Sequence, residues 1–374
     1  MNLEQTVEQS DLRETLRRYL LERASVATYV RPLIAEPAAV KDDVWQGLAD
    51  LGAAGLLIPA ELGGAGLTMA EVGAAAEEFG AGLYLGPWLS SAVAAVRALT
   101  RLDTGEVGGA LMTDIASGSV TATVAGILGD DPRPTATEHD GQWILDGQID
   151  GVRDLKSADV LLVLADEQGL GQALFQVSPN SRGLRCESRE FIDPTTRLFT
   201  LKLDGAPAQR ITAATPDEIE DIRDDILIAS AADALGAARA VMELAVDYAK
   251  VRHQFGKPIG SFQAVQHLCA DMYETVELAR GGVIHALWAA DAGERFERHL
   301  AALRAKGFAA ELVSIADTAI QIFGGIGYTW DHDAHLYLKR LLGFSELAGS
   351  PDSYLQKIGT SLVHSMAAGS GPAQ

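Results

Sequence analysis

From Tyr248 to Ala270 the chain has no acidic residue, although it carries 51 Asp and Glu against 30 Lys and Arg overall. Inside that window Arg252 offers a planar, permanently charged fork that suits a phosphate, with Lys250, His253 and Lys257 close by. The same charges also suit a solvated helix end, where cations complement the dipole. A second stretch, Gln321-Ile-Phe-Gly-Gly-Ile-Gly-Tyr328, places three glycines after a helical pattern, where bare backbone can come close to a neighbour or a ligand. No strand precedes these glycines, which excludes a βαβ dinucleotide fingerprint. His332, Asp333 and His335 have a spacing that metal ligands can share, but capping and inter-helix hydrogen bonding account for it better, and no metal is expected. Two cysteines, Cys186 and Cys269, are too few for a disulfide scaffold or a Cys-rich metal centre.

These segments must be positioned by the elements around them. Residues 1–118 read as a helical domain, with Leu12, Leu16, Tyr19 and Leu20 at helical spacing and Thr68 as an N-cap whose capping box is closed by Glu71. Gly86-Pro87 breaks the chain before an Ala-rich helix, Ser90 to Thr100. Residues 119–212 read as a β domain: Val120 to Leu128, Trp143 to Leu145, Val160 to Leu164, Ala173 to Val177 and Leu198 to Leu203 are β-rich runs. Turn clusters at Asp130-Asp131-Pro132, His139-Asp140-Gly141 and Ser178-Pro179-Asn180 separate them and predict an antiparallel barrel or sandwich. Residues 213–374 read as a four-helix bundle, opening with six carboxylates between Asp217 and Asp225, a solvated helix start. The bundle's third helix is expected from about Glu294 to Ile322, and the tail from Ala367 to Gln374 is expected to fray. The fold class is therefore α+β. A formal charge of −21 argues against nucleic-acid and anionic-membrane binding. The charged N-terminus is unlike a signal peptide, no run of about 18–20 apolar residues is seen, and a soluble cytoplasmic protein is expected.

Taken together, Arg252-His-Gln-Phe-Gly with Pro258-Ile-Gly and Phe262-Gln, and Gln321-Ile-Phe-Gly-Gly-Ile-Gly-Tyr, resemble the acyl-CoA dehydrogenase family. Gly55-Leu-Leu-Ile-Pro with Leu62-Gly-Gly-Ala-Gly-Leu is similar to that family's N-terminal signature, so the resemblance covers nearly the whole chain. The stretch from Thr329-Trp330 to Lys339-Arg340 resembles the bacterial branch that includes heteromeric enzymes of steroid side-chain thioesters. The resemblance implies an N-terminal helical domain, a middle β domain, a C-terminal four-helix bundle, and FAD shared across a subunit interface. It places Arg252, Gln254, Phe255, Gln321, Gly324 and Gly325 on the diphosphate and adenosine end of a neighbouring subunit's FAD.

The chain also departs from the family pattern. The segments that hold the flavin ring within a subunit correspond to Thr121-Ala-Thr-Val-Ala-Gly-Ile-Leu128 and Gly151-Val-Arg-Asp154, so the stacking Trp becomes Gly151 and the hydrogen-bonding Thr becomes Arg153. The two places where the family carries its catalytic carboxylate fall on Ala348 and Ile226. Glu346 and Asp225 stand two and one positions away and are the candidate bases, though each offset turns a helical side chain by roughly 100° per residue. The expectation is a companion subunit that completes the FAD site of a homologous catalytic partner in a heterotetramer acting on acyl-CoA. The alternatives are a self-sufficient dehydrogenase with a displaced base, a flavoenzyme of other chemistry, and a flavin-free structural or binding subunit.

Overall fold

A computed structural model describes residues 5–34, 43–129 and 132–367. The Asp130-Asp131 turn and the tail from residue 368 onward lie outside the described residues. The N-terminal part contains helices α1 (Val7–Arg23), α2 (Arg31–Ile34), α3 (Asp43–Asp50), α4 (Met69–Ala81), α5 (Val96–Arg101) and α6 (Gly105–Ala116). The capping box at α4 forms as read: Glu71 accepts the Thr68 N–H at 3.0 Å. The Ala-rich helix after Gly86-Pro87 differs, opening as a wider π-helical segment, Trp88–Ala95, before tightening into α5.

Seven strands follow: β1 (Ala122–Ala125), β2 (Thr135–His139), β3 (Gln142–Arg153), β4 (Val160–Glu167), β5 (Gly171–Val177), β6 (Leu184–Arg189) and β7 (Leu198–Ala214). β4, β2, β3, β7 and β5 pair in turn and close on β4, forming a five-stranded ring with β1 and β6 attached outside it. Most pairings are antiparallel, but β4 is parallel to both β1 and β2. β4 reads Val-Leu-Leu-Val-Leu because both its faces are covered. The β3–β7 register slips between Ile149 and Val152, so Asp150 and Gly151 fall outside the ladder. Such a bulge re-aims side chains, and here it brings Arg153 to a cavity wall.

Helix α7 (Pro216–Val251) runs through the core against α4, α8 (Gln263–Ala292), α9 (Arg295–Gly307), α10 (Ala309–Phe323) and α11 (Ala334–Glu346), and α12 (Pro351–Ala367) lies on α9. The start of α7 is not simply solvated. Asp224 and Asp225 are buried, with Asp224 bonded to His299 and Asp225 to Arg101, while Arg295 and Arg298 gather Glu220 and Asp221. The single long helix expected to Ile322 is broken at Phe308 into α9 and α10. On length and composition residues 295–328 could cross a bilayer, but both helices pack into the bundle.

Candidate functional site

The two motifs that opened the sequence reading emerge at neighbouring helix ends. Arg252 caps α7, and His253-Gln254 pairs with Lys257-Pro258 as a small hairpin whose tip, Phe255-Gly256, has φ of +53° and +80°. Two successive positive φ values make a tight primed turn, and the turn holds the Phe255 ring out in solvent, 92% exposed. Gln321 lies exposed on the last turn of α10. Gly324 then takes φ +64°, ψ −144°, and open space surrounds the positions where Gly324 and Gly325 would carry a Cβ. A tilted ring contact between Tyr248 and Phe323, with centroids 5.0 Å apart, ties the two helix ends together. The Arg252, Gln254 and Gln321 side chains form no hydrogen bond or ion pair within the described chain, so a fork and two amides stand free beside exposed backbone. That donor set fits a diphosphate.

Asp333 forms an ion pair with Arg31 at 2.6 Å, and His332 Nδ1 accepts the N–H of Ala334 at 3.0 Å as α11 begins. His335 is buried against Trp330. Among the described residues no group of three or more His, Cys, Asp or Glu could hold a metal.

Between the barrel, the π-helical segment and α7 lies a partly open cavity of about 40 Å³, lined by Leu89, Thr123, Gly126, Gly151, Arg153 and Ile226 among others. It is the place where the two strand segments compared above meet, and its volume suits roughly three waters. Gly151 has φ +72°, which an L side chain rarely adopts, so its backbone is shaped against a stacking Trp as well as lacking one. Thr123 Oγ1 donates to the Arg153 carbonyl at 2.7 Å, and Thr121, buried, spends its hydroxyl on Ser157 and Asp159. The residues present do not fit a flavin ring held by this subunit.

Neither candidate base reaches this cavity. Ile226 and Leu347 line it instead. Asp225, fully buried on the preceding residue of α7, is held by Arg101 at 2.9 Å and Arg97 at 3.3 Å. Glu346 is exposed at the end of α11. The carboxylate in the lining is Asp150, which accepts Thr200 Oγ1 at 2.6 Å and sits 3.7 Å from Arg189.

Sequence reasoning missed a buried charged cluster behind Arg153. Arg340 makes a two-pronged bond to Asp233 at 2.9 and 2.7 Å and donates to Thr195 Oγ1 at 2.9 Å. Asp233 and its neighbour Asp193 hold the Arg340 guanidinium more firmly charged despite its burial. Burial pushes the Asp154 carboxyl up from its ordinary range, while Ser90 Oγ donates to it at 2.6 Å. A lone Asp on an apolar face of α7, Asp233, and a buried Arg on α11, Arg340, were the available signal, but the two lie 107 residues apart.

Helix bundle, closed barrel and phosphate-suited helix ends together define an acyl-CoA dehydrogenase architecture, and the comparisons bear this out. The family's N-terminal domain matches residues 6–119 and its C-terminal domain residues 228–363. The chain belongs to the acyl-CoA dehydrogenase family. It is 33% identical over 352 residues to acyl-CoA dehydrogenase IpdE2 of Mycobacterium tuberculosis, covering 94% of this chain and 96% of that one. It is 32% identical to acyl-CoA dehydrogenase FadE34 of the same organism over 94% of this chain, but spans only 48% of that longer protein. Among solved structures, the ChsE4-ChsE5 complex from Mycobacterium tuberculosis superposes with a TM-score of 0.89 at 26% identity, covering 97% of this chain and 99% of that chain. A variant of the Tcur3481-Tcur3483 steroid ACAD gives 0.87 at 28% identity, covering 96% and 99%.

Proposed function

We propose that this chain is the companion subunit of a heteromeric FAD-dependent acyl-CoA dehydrogenase, completing a cofactor site whose flavin is held by a homologous catalytic partner. One contrast carries the reading: the helix-end groups suited to a diphosphate stand free on the surface, whereas the cavity within the subunit presents Ile226, Leu347 and Arg153 where a base and a flavin ring would be needed. In this role Arg252, Gln254 and Gln321, with the backbone at Phe255, Gly324 and Gly325, hold the diphosphate and adenosine end of the partner's FAD. Bound flavin supplies the hydride acceptor for desaturating an acyl-CoA thioester, and the partner supplies the carboxylate that takes the α-proton. A bulky acyl group is part of the proposal, supported by the 28% identical relative described as a steroid ACAD. So is a cytoplasmic setting, which suits free Cys186 and Cys269.

Co-expression with each neighbouring homologous subunit, purification of the complex and measurement of its flavin tests this. The expected result is about one FAD per pair of unlike chains, with turnover only in the complex. Stoichiometric FAD and turnover in this chain alone would overturn it, and loss of that turnover on Glu346→Ala, or on Asp225→Ala in a variant shown to remain folded, would assign the displaced base. A complex that forms but stays colourless would assign a structural subunit.

A further inference from the structure

Arg153 lies on the wall shared by two cavities. On one side is the apolar cavity bounded by Leu89, Val124, Ile149, Ile226 and Leu347. On the other is a small polar cavity lined by Asp154, Thr196, Arg197, Asp233 and Arg340. The Arg153 Nε is buried with no hydrogen-bond partner, and Nη2 makes only a long contact, 3.4 Å, to Thr196 Oγ1. The nearby acids are already committed. Both oxygens of Asp233 go to Arg340, Asp193 accepts the hydroxyls of Thr195 and Thr196 at 2.6 Å each, and Asp154 accepts Ser90. Burial, and then the Arg340 cation, draw the Arg153 pKa down, against the opposing pull of Asp154, Asp233 and Asp193. A cation half withdrawn from water without a paired carboxylate is costly, and the Nε–Nη2 edge, where Nε has no bond, is the edge that a carboxylate bridges with two parallel bonds.

We propose that the site vacated by the flavin ring has become a binding site for a short apolar monocarboxylate, its oxygens on Nε and Nη2 of Arg153 and its hydrocarbon tail in the cavity beside Ile149, Ile226 and Leu347. The cavity volume of about 40 Å³ sets the tail at roughly three or four carbons. The bulged strand supports this assignment, since it places Arg153 on the cavity wall and Gly151, which has no side chain to fill the space, beside it. The inference rests on the reading that this subunit holds no flavin of its own.

The test titrates the isolated full-length chain with butanoate, with the uncharged isostere butanamide, with inorganic phosphate and with FAD, by calorimetry and ligand-observed NMR. Saturable butanoate binding in the millimolar range or tighter is expected, with butanamide and phosphate at least tenfold weaker. Arg153→Met should abolish binding and Arg153→Lys, which keeps the charge and loses the fork, should weaken it at least tenfold. Ile226→Phe, which fills the cavity and keeps Arg153, should also abolish it, and serves if the arginine variants do not fold. No saturable butanoate binding, as a cavity holding only water would give, overturns the inference, as does phosphate binding more tightly or binding unchanged in Arg153→Met. FAD taken up stoichiometrically by the isolated chain would overturn the companion-subunit reading instead, so the two failures are distinguishable.

Discussion

Asp225 and Ile226 are consecutive on α7, yet one is clamped between Arg97 and Arg101 and the other faces the cavity. The turn of roughly 100° per residue separates an ion-pair residue from a cavity residue. Asp225→Ala leaves two arginines without their buried anion and is expected to cost about 3–5 kcal/mol, read as a large fall in thermal midpoint. Glu346→Ala, at an exposed helix end, should change stability by no more than about 0.5 kcal/mol. If Asp225→Ala melted like the unaltered chain, the clamp would not be structural. The residues proposed to meet phosphate stand out in sequence because their types, a fork and glycines, are defined by chemistry. Arg153 was legible as a departure from a pattern, but its place beside Arg340, Asp193 and Asp233 was not, because it depends on pairings across more than a hundred residues.

At the scale of elements, α4 and α7 cross with their backbones nearly touching. A Cβ on Gly80 would fall 1.8 Å from the Asp233 carbonyl oxygen, and one on Gly236 would fall 1.9 Å from that of Glu77. Neither neighbour can yield, because both are helix backbone, so Gly80→Ala or Gly236→Ala is expected to cost at least about 1–3 kcal/mol and to lower the yield of soluble protein. Gly80→Ala should also displace Asp233 and its bond to Arg340. A second element-level device is Lys306, fully buried under the turn between α11 and α12, where it donates to the Ser345 and Gly349 carbonyls at 2.8 and 3.0 Å. Burial pulls its pKa down to about 8. Between about pH 8 and 10 the unfolded chain holds this proton more than the fold does, so stability rises with pH there, by up to about 1.4 kcal/mol per unit. Lys306→Met should lack that rise, measured as the difference between the two melting curves across pH 8–10. Helix starts such as Thr68 with Glu71 were readable because a cap is a local bond. β6 was not, since its mostly exposed Leu-Arg-Cys-Glu-Ser-Arg alternates only over Leu184 and Cys186 and is held by backbone pairing to β7.

For the whole molecule, the acidic surplus and the acid-free window describe different things. The carboxylates at the start of α7 are largely neutralised inside the fold by Arg101, Arg295, Arg298 and His299. The window around Arg252 ends in a surface where Val251, Phe255, Tyr328 and Trp330 are 70%, 92%, 67% and 57% exposed. Large apolar groups at that exposure around unpaired polar groups mark a contact region, and a rigid aromatic at its centre supplies much of the binding energy. Phe255 meets that description, because the primed turn fixes it outward and Phe262 and Lys257 brace its base, with the Lys257 ammonium 4.2 Å from the Phe262 centroid. Phe255→Ser therefore leaves the fold of the single chain intact, with a melting midpoint close to that of the unaltered chain. It should weaken assembly by at least about tenfold, or about 1.4 kcal/mol, seen as a shift to smaller species in a dilution series by mass photometry. Arg252→Ala should do the reverse, keeping assembly and lowering the flavin retained by the complex. An Arg252→Ala complex with full flavin would remove the main reason for assigning the cofactor to this face.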